Sequence, residues 1–274
     1  MIHTHPLDLH EIRSRIASNL GLQDLASCTR VSQDWNDSFS SRLYYSIALS
    51  KPGPTLESVK RNKHHIRHLE IETTAYEKLP SSGTRGEMVS TILANSALTV
   101  LCLERNLIGD NGAQALADAL KTNSTLTTLN LMLNSIDDSG AQALSEALKT
   151  NSTLSTLDLL SNSITVSGAQ ALSEALKTNS TLATLNLEYN SIGHNGAQAL
   201  SEALKTNSTL TTLILGENSI GDNGAQALSE ALKTNSTLTI LKLEHNSIGE
   251  NGTQALSEVL KTNSTLSTLD LRNN

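Results

Sequence analysis

Residues whose side chains could carry chemistry are few in this chain of 274 residues. Two cysteines, Cys28 and Cys102, and eight histidines supply its thiol and imidazole groups. A thiolate nucleophile needs a base and an orienting partner beside it, and neither cysteine sits in a motif that would supply them. His64, His65 and His68 form the one tight histidine group. On a helix His64 and His68 share a face, but two imidazoles fall short of the three or four ligands a zinc ion takes. Two cysteines likewise cannot build a four-thiolate site or a disulfide framework, so both are expected as reduced thiols. Gly-rich phosphate loops, nucleophile elbows and paired carboxylates in an apolar setting are all missing from the sequence. The expectation is a chain with no catalytic residues, no cofactor and no metal. Six Asn-Ser-Thr sequences, beginning at Asn123, Asn151, Asn179, Asn207, Asn235 and Asn263, match the glycosylation acceptor. With no secretion signal ahead of them they read instead as helix stops.

Recognition is the chemistry that remains, and charge narrows it. The net charge is -7, and residues 98–274 carry 17 Asp/Glu against 9 Lys/Arg. A nucleic-acid binder exchanges a basic stripe for phosphate counterions, so nucleic acid and anionic membranes are excluded as expected partners. No run of about 18 apolar residues is present for a membrane helix, and the start, MIHTHPLDLHEIRSR, has charges and Pro where a signal peptide needs an apolar stretch. The expected location is cytoplasmic, with the nucleus as an alternative.

A repeat of fixed period must position whatever this chain binds with. LTTLNLMLNSI at Leu126 returns at Leu154, Leu182, Leu210 and Leu238 with a period of 28, and extends back to Leu98 and forward to Leu266. Between these stretches runs G-A-Q-A-L-S-E-A-L-K-T-N-S-T with small variations. Leu126, Leu129 and Leu131 alternate with Asn130 and Met132, which predicts a short strand with one buried face. Leu116 and Leu120, four apart, share a helix face with Ala113, giving a narrow inner side. Asn111, Ser139, Ser167, Asn195, Asn223 and Asn251 are expected to be N-caps, and Asn123 and its copies to end each helix in the left-handed conformation. Asn106, Asn134, Asn162, Asn190, Asn218, Asn246 and Asn274 recur where the chain leaves the strand, and their amides are expected to bond the backbone of neighbouring turns.

The pattern L-x-x-L-x-L-x-x-N-x-I followed by a helix resembles the leucine-rich repeat, of the long, ribonuclease-inhibitor-like kind. The resemblance implies an α/β fold: a right-handed solenoid with parallel strands on the concave side and helices on the convex side. Strands spaced about 4.8 Å and helices needing about 8–10 Å force the same curvature, roughly 25° per unit. The fifth, seventh and eighth places of the strand segment point into the arc and vary most between copies. On them lie the candidate contacts Glu104, Arg105, Met132, Leu133, Asp158, Leu160, Glu188, Tyr189, Glu217, Lys242, Glu244 and His245, together with Cys102, Asn130, Ile214, Gly216, Asp270 and Arg272. Acidic groups outnumber basic ones here, which points to a basic or mixed-charge protein partner.

Residues 1–49 lack the repeat. Leu9, Ile12, Ile16 and Leu20 keep helical spacing, and Leu25, Val31 and Trp35 continue the apolar set, so three short helices are expected. The order of these residues resembles the F-box, with His10 and Arg13 standing where that family usually has Pro and Leu. The F-box resemblance implies docking through Leu9, Ile12, Ile16, Leu20, Leu25, Val31 and Trp35 on a Skp-type adaptor of a cullin complex. The chain would then be a substrate receptor of a ubiquitin ligase. The alternatives are a leucine-rich-repeat interaction scaffold or recognition receptor with no ligase link, or an activator of the Ran GTPase, which is built from similar repeats. The expected organisation is a helical module over 1–49, a connector over 50–65, and repeats over 66–274 with a divergent first copy at 66–97. The last copy stops after its strand, leaving Leu266, Leu269 and Leu271 without a covering helix. Such an end is expected to belong to a longer array or to pair with another surface.

Overall fold

The computed structural model describes residues 46–49, 66–71, 92–93 and 97–274. Nine strands form one parallel sheet in chain order. They are β1 (Ser46–Leu49), β2 (His68–Ile71), β3 (Val100–Cys102), β4 (Thr128–Asn130), β5 (Thr156–Asp158), β6 (Thr184–Asn186), β7 (Thr212–Ile214), β8 (Ile240–Lys242) and β9 (Thr268–Asp270). From β3 onward a helix joins each strand to the next: α1 (Gly109–Leu120), α2 (Asp138–Leu148), α3 (Val166–Leu176), α4 (Gly193–Leu204), α5 (Gly221–Leu232) and α6 (Glu250–Leu260). The register never slips, with Leu101 opposite Leu129, Leu129 opposite Leu157 and so on to Leu241 opposite Leu269. A constant sequence period allows this, because each unit meets a copy of itself.

The leucine rows make the core. Leu126, Leu129, Leu131 and Ile136 are fully buried, as are their counterparts in the next repeats, and Ala141, Leu144 and Ala147 of α2 close on them. Each buried leucine stabilises the fold by about 1.5–3 kcal/mol, but only when a neighbouring unit covers it. At β9 the row opens, and Leu266, Leu269 and Leu271 are only partly buried.

Two asparagine ladders bind the units together. In the first, Asn134 accepts from the Asn106 and Ile108 backbone N–H groups at 2.9 and 3.1 Å and donates to the Leu103 carbonyl at 2.8 Å. Asn162, Asn190, Asn218, Asn246 and Asn274 make equivalent bonds to the preceding repeat, as the sequence leads one to expect. The second ladder corrects the expected left-handed stop. Asn179 does not turn the chain by its own backbone; its amide donates to the Leu148 carbonyl at 2.7 Å, and its carbonyl accepts from Thr181 and Leu182. The bond to Leu148 ties the end of α3 to the end of α2 through an orphan helix carbonyl. Asn151, Asn179, Asn207 and Asn235 are 5–6% exposed. Their amides are committed to these bonds, so the glycosylation sequences are structural.

The helix starts also differ from expectation. Asn111, Ser139, Ser167, Asn195, Asn223 and Asn251 lie inside the first turn of their helices rather than at the cap. At α2 the local cap is Asp137, whose side chain accepts from the Ser139 N–H at 2.7 Å. At three helix starts an aspartate of the preceding repeat also accepts. Asp110 accepts from the Asp137 and Gly140 N–H groups at 2.8 and 3.1 Å, Asp138 from Thr165 and Gly168 at 2.7 and 2.9 Å, and Asp222 from Gly249 and Gly252 at 2.7 and 2.8 Å. Where such an aspartate precedes, the entry residue is extended, with φ of -101, -110 and -86 at Asp137, Thr165 and Gly249. Val166 and His194 occupy the aspartate place ahead of α4 and α5. There the entry residues Gly193 and Gly221 take a φ of 63 and send their N–H to the carbonyls of Asn218 and Asn246. An acceptor in one unit thus sets the backbone conformation of the next.

The sheet begins at Ser46, ahead of Ile66, because β1 pairs along its whole length with β2. These four residues fall within the segment expected to be a helical module. The candidate docking residues on that segment, Leu9, Ile12, Ile16, Leu20, Leu25, Val31 and Trp35, lie outside the described residues, as does the connector 50–65.

Candidate protein-binding face

Each described strand from β3 to β9 has three residues, so the segment that carries the candidate contacts extends beyond it. The first and third strand residues and the second residue after the strand share one face of the sheet, and the intervening leucines fill the other. The fifth place is the third strand residue: Cys102, Asn130, Asp158, Asn186, Ile214, Lys242 and Asp270. The seventh place forms a straight row across the repeats: Glu104, Met132, Leu160, Glu188, Gly216, Glu244 and Arg272. Backbone bonds run along it, the N–H groups of Leu133, Ser161, Tyr189 and Glu217 donating to the carbonyls of Leu160, Glu188, Gly216 and Glu244. The eighth place differs from the strand position expected for it. Arg105, Leu133, Tyr189, Glu217 and His245 are left-handed, with φ between 54 and 58, and form the turn that borders the face. The sequence reading missed the first strand row, where half-buried Thr128, Thr156, Thr184 and Thr212 lie on the same face beside Val100 and Ile240. Their alternation with the buried leucines was the signal that could have found them.

Electrostatics divide the face. Toward β4 and β5 the seventh row is apolar, with Met132 and Leu160 half-buried. Toward β6–β8 it is acidic. Glu188 and Glu244 lean over Gly216 from either side: a Cβ added to Gly216 would meet the Glu244 Cγ at 3.0 Å and the Glu188 Cγ at 3.1 Å. Burial raises the Glu188 carboxyl above its ordinary pKa, the neighbouring Glu244 charge adds to this, and Lys242 partly offsets it. Among the described residues, the Glu244 Oε2 is shielded from water and has no hydrogen-bond partner.

Along the turn row, Tyr189 is 51% exposed, the largest exposed aromatic among the described residues. Its hydroxyl contacts Glu217, whose negative charge holds the phenol above its ordinary pKa. Glu217 Oε1 lies 3.5 Å from the His245 Nδ1, and the His245 Nε2 lies 2.9 Å from the Asn273 amide nitrogen. With the amide donating to Nε2, the ring proton sits on Nδ1, toward Glu217. Glu104 and Arg105 approach to 3.6 Å at one end of the face. At the other, Arg272 grips Asp270 with two nitrogens and lowers its pKa to about 2. Asp158 sits on the fifth row with its Oδ1 accepting from the Leu160 N–H at 2.9 Å. Cys102 is half-buried on the same row, and burial raises its thiol above the ordinary range, which disfavours the thiolate. No group of three or more His, Cys, Asp or Glu residues suited to a metal ion occurs among the described residues. Nor does any described helix have the length and apolar character to cross a membrane.

This geometry presents a broad face that is apolar at one end and acidic at the other. Comparison with solved structures gives partial likenesses, two of which are these. The leiomodin-1 actin-binding site 2 shares 24% identity over 54% of this chain and 86% of its own, with a TM-score of 0.46. The tropomodulin C-terminal domain of Caenorhabditis elegans shares 17% over 55% and 92%, also at 0.46. No curated protein matches, and no F-box domain is detected. The leucine-rich-repeat profile matches six times, at residues 94–117, 122–145, 150–173, 178–201, 206–229 and 234–257. These matches cover more than half of the sequence and fall on the units just described, and the chain belongs to the leucine-rich-repeat family.

Proposed function

We propose that the protein is a protein-interaction scaffold whose concave face binds one partner chain, with no chemistry of its own. The observation that carries this reading is the contrast between a scaffold repeated almost without change and a face whose eighth place differs in every unit and whose seventh changes among Glu, Met, Leu, Gly and Arg. The buried rows and both asparagine ladders are constant because each unit must fit its neighbour. The face is free of that constraint, and it presents an apolar stretch, an acidic stretch and an exposed tyrosine. Aromatic side chains and water-shielded polar groups are what interface centres are made of.

Proximity labelling in cells with two matched variants tests the reading. A concave variant, Leu160→Asp with Tyr189→Ala, should lose the labelled partners, and a convex variant, Lys177→Glu, should keep them. Loss in the convex variant alone would overturn it. The ligase-receptor reading is a finer proposal and rests on the F-box-like residues Leu9 to Trp35. Under it Ile12→Asp abolishes binding to a Skp-type adaptor and leaves the concave partner bound; failure of the unaltered chain to bind the adaptor removes it.

A further inference from the structure

The seventh row also specifies the chemistry of the partner, and this inference rests on the concave-face reading. Met132 and Leu160 stand next to Glu188, Gly216 and Glu244 in an unbroken line, one residue per repeat, fixed in register by backbone bonds. Gly216 is the one glycine in that row, and the Glu188 and Glu244 stems close over it: an added Cβ would lie 3.0–3.1 Å from them. One oxygen of this carboxylate pair, the Glu244 Oε2, is withdrawn from water without a donor. Lys242, on the neighbouring fifth row, forms no ion pair within 4 Å among the described residues. An unmet acceptor in such a place costs free energy that an incoming charged donor recovers. The apolar end of the row has the matching need, since Met132 and Leu160 are left half-exposed.

We propose that the face takes an amphipathic basic segment of the partner protein, its Arg or Lys side chain seated over Gly216 between Glu188 and Glu244 and an apolar side chain resting on Met132 and Leu160. Leu160 and Gly216 are two strand spacings apart, about 10 Å. A polyproline-II segment, with three residues per turn and a rise of about 3.1 Å, spans this in about three residues and keeps both side chains on one side, so the apolar and basic positions of the ligand are separated by three. Polarity is fixed as well: the basic residue lies toward β7 and the apolar one toward β5. Tyr189, at the border of the same stretch, is placed to cover the aliphatic stem of the seated side chain.

A displayed library of random 12-residue peptides, panned on the full chain, tests this. The expected result is enrichment of sequences pairing an apolar residue with Arg or Lys three positions away. Binding of the selected peptides, measured by fluorescence anisotropy, should fall about tenfold or more in Glu244→Gln and in Glu188→Gln, as loss of a charge-assisted bond predicts. Gly216→Ala should fall similarly by forcing the Glu188 and Glu244 stems apart, and both Gln variants keep the shape should the alanine disturb it. Affinity in the unaltered chain should also decline as salt rises. Enriched peptides lacking a basic residue, or indifferent to all three variants, would overturn the carboxylate pair as the seat and leave the concave-face reading standing. Peptides that bind equally well to Leu160→Asp with Tyr189→Ala would remove the concave face itself as the site, and absence of any enriched peptide counts against the segment-binding proposal alone.

Discussion

Replacing Gly193 and Gly249 by alanine makes one chemical change at one place of two repeats, and the structure requires opposite outcomes. Both residues open a helix. Gly193 has a φ of 63 and nothing within 4 Å of an added Cβ, so the methyl meets no neighbour and the whole cost is backbone. For an alanine this left-handed conformation costs about 1–2 kcal/mol. Gly249 has a φ of -86 and a ψ of -161, ordinary for any residue, because Asp222 takes its N–H at 2.7 Å. Its Cβ would meet the Asp222 Oδ2 at 3.1 Å, which a carboxylate accommodates by moving slightly. Both substitutions restrict the unfolded chain equally, stabilising by about 0.4–1 kcal/mol. That shared effect cancels in the comparison and leaves a difference of about 1–2 kcal/mol, with Gly249→Ala neutral or stabilising. Urea unfolding reads it as a shift in midpoint at unchanged slope. A third arm tests the cause. In an Asp222→Ala background the acceptor is gone and residue 249 should turn left-handed, so adding Gly249→Ala should now be costly, giving a coupling of about 1–2 kcal/mol. Conversely, Val166→Asp should rescue Gly193→Ala. Equal effects of the two alanines, or additivity within about 0.3 kcal/mol with Asp222→Ala, would refute control of one repeat's entry by the aspartate of the last.

Other consequences follow from the same geometry. Asn207→Ala strands the buried Leu176 carbonyl and the Leu210 N–H, bonded at 2.7 and 2.8 Å, and should destabilise by about 2–4 kcal/mol in chemical denaturation. Asn263→Ala, at the more open end, should destabilise less. The Asp270 carboxyl should titrate at about 2 by NMR and move up toward the ordinary value of about 3.9 in Arg272→Ala. Its depressed pKa means that the stabilisation it brings is present above the unfolded value and is lost as pH falls toward 2. Glu188 has the opposite sign. Its raised folded pKa makes its charge a cost at neutral pH that disappears as pH falls below the unfolded value, so Glu188→Gln should raise the unfolding midpoint more at pH 7 than at pH 4.

How much was legible in the sequence depends on whether a feature is local. The strand and helix of each unit, the buried Leu126, Leu129 and Leu131 row and the unit length were all readable, because side-chain alternation and a constant period are properties of one stretch of chain. The role of Asn134 was readable for the same reason: a buried turn must satisfy its backbone, and one amide recurs there. The helix caps were misread because Ser139 and Ser167 fit the usual local pattern, while the acceptors Asp110 and Asp138 lie in the unit before. The left-handed stop at Asn123 failed likewise, since the bond that commits its amide runs to the helix before. The candidate face was readable as the set of places that vary, but a ranking among them was not.

The sequence by itself determined the architecture, since a 28-residue unit with one leucine face cannot bury it alone and must stack on copies of itself. It also determined which side of the sheet is free to bind, since the leucines claim the other. What happens between units is settled in three dimensions alone: the aspartate that sets the next helix entry, the second asparagine ladder, and the meeting of Glu188 and Glu244 over Gly216. Residues 28 and 56 apart in the chain come together there because stacking turns sequence period into spatial adjacency, and an interaction across that distance leaves no mark on the local pattern of either partner.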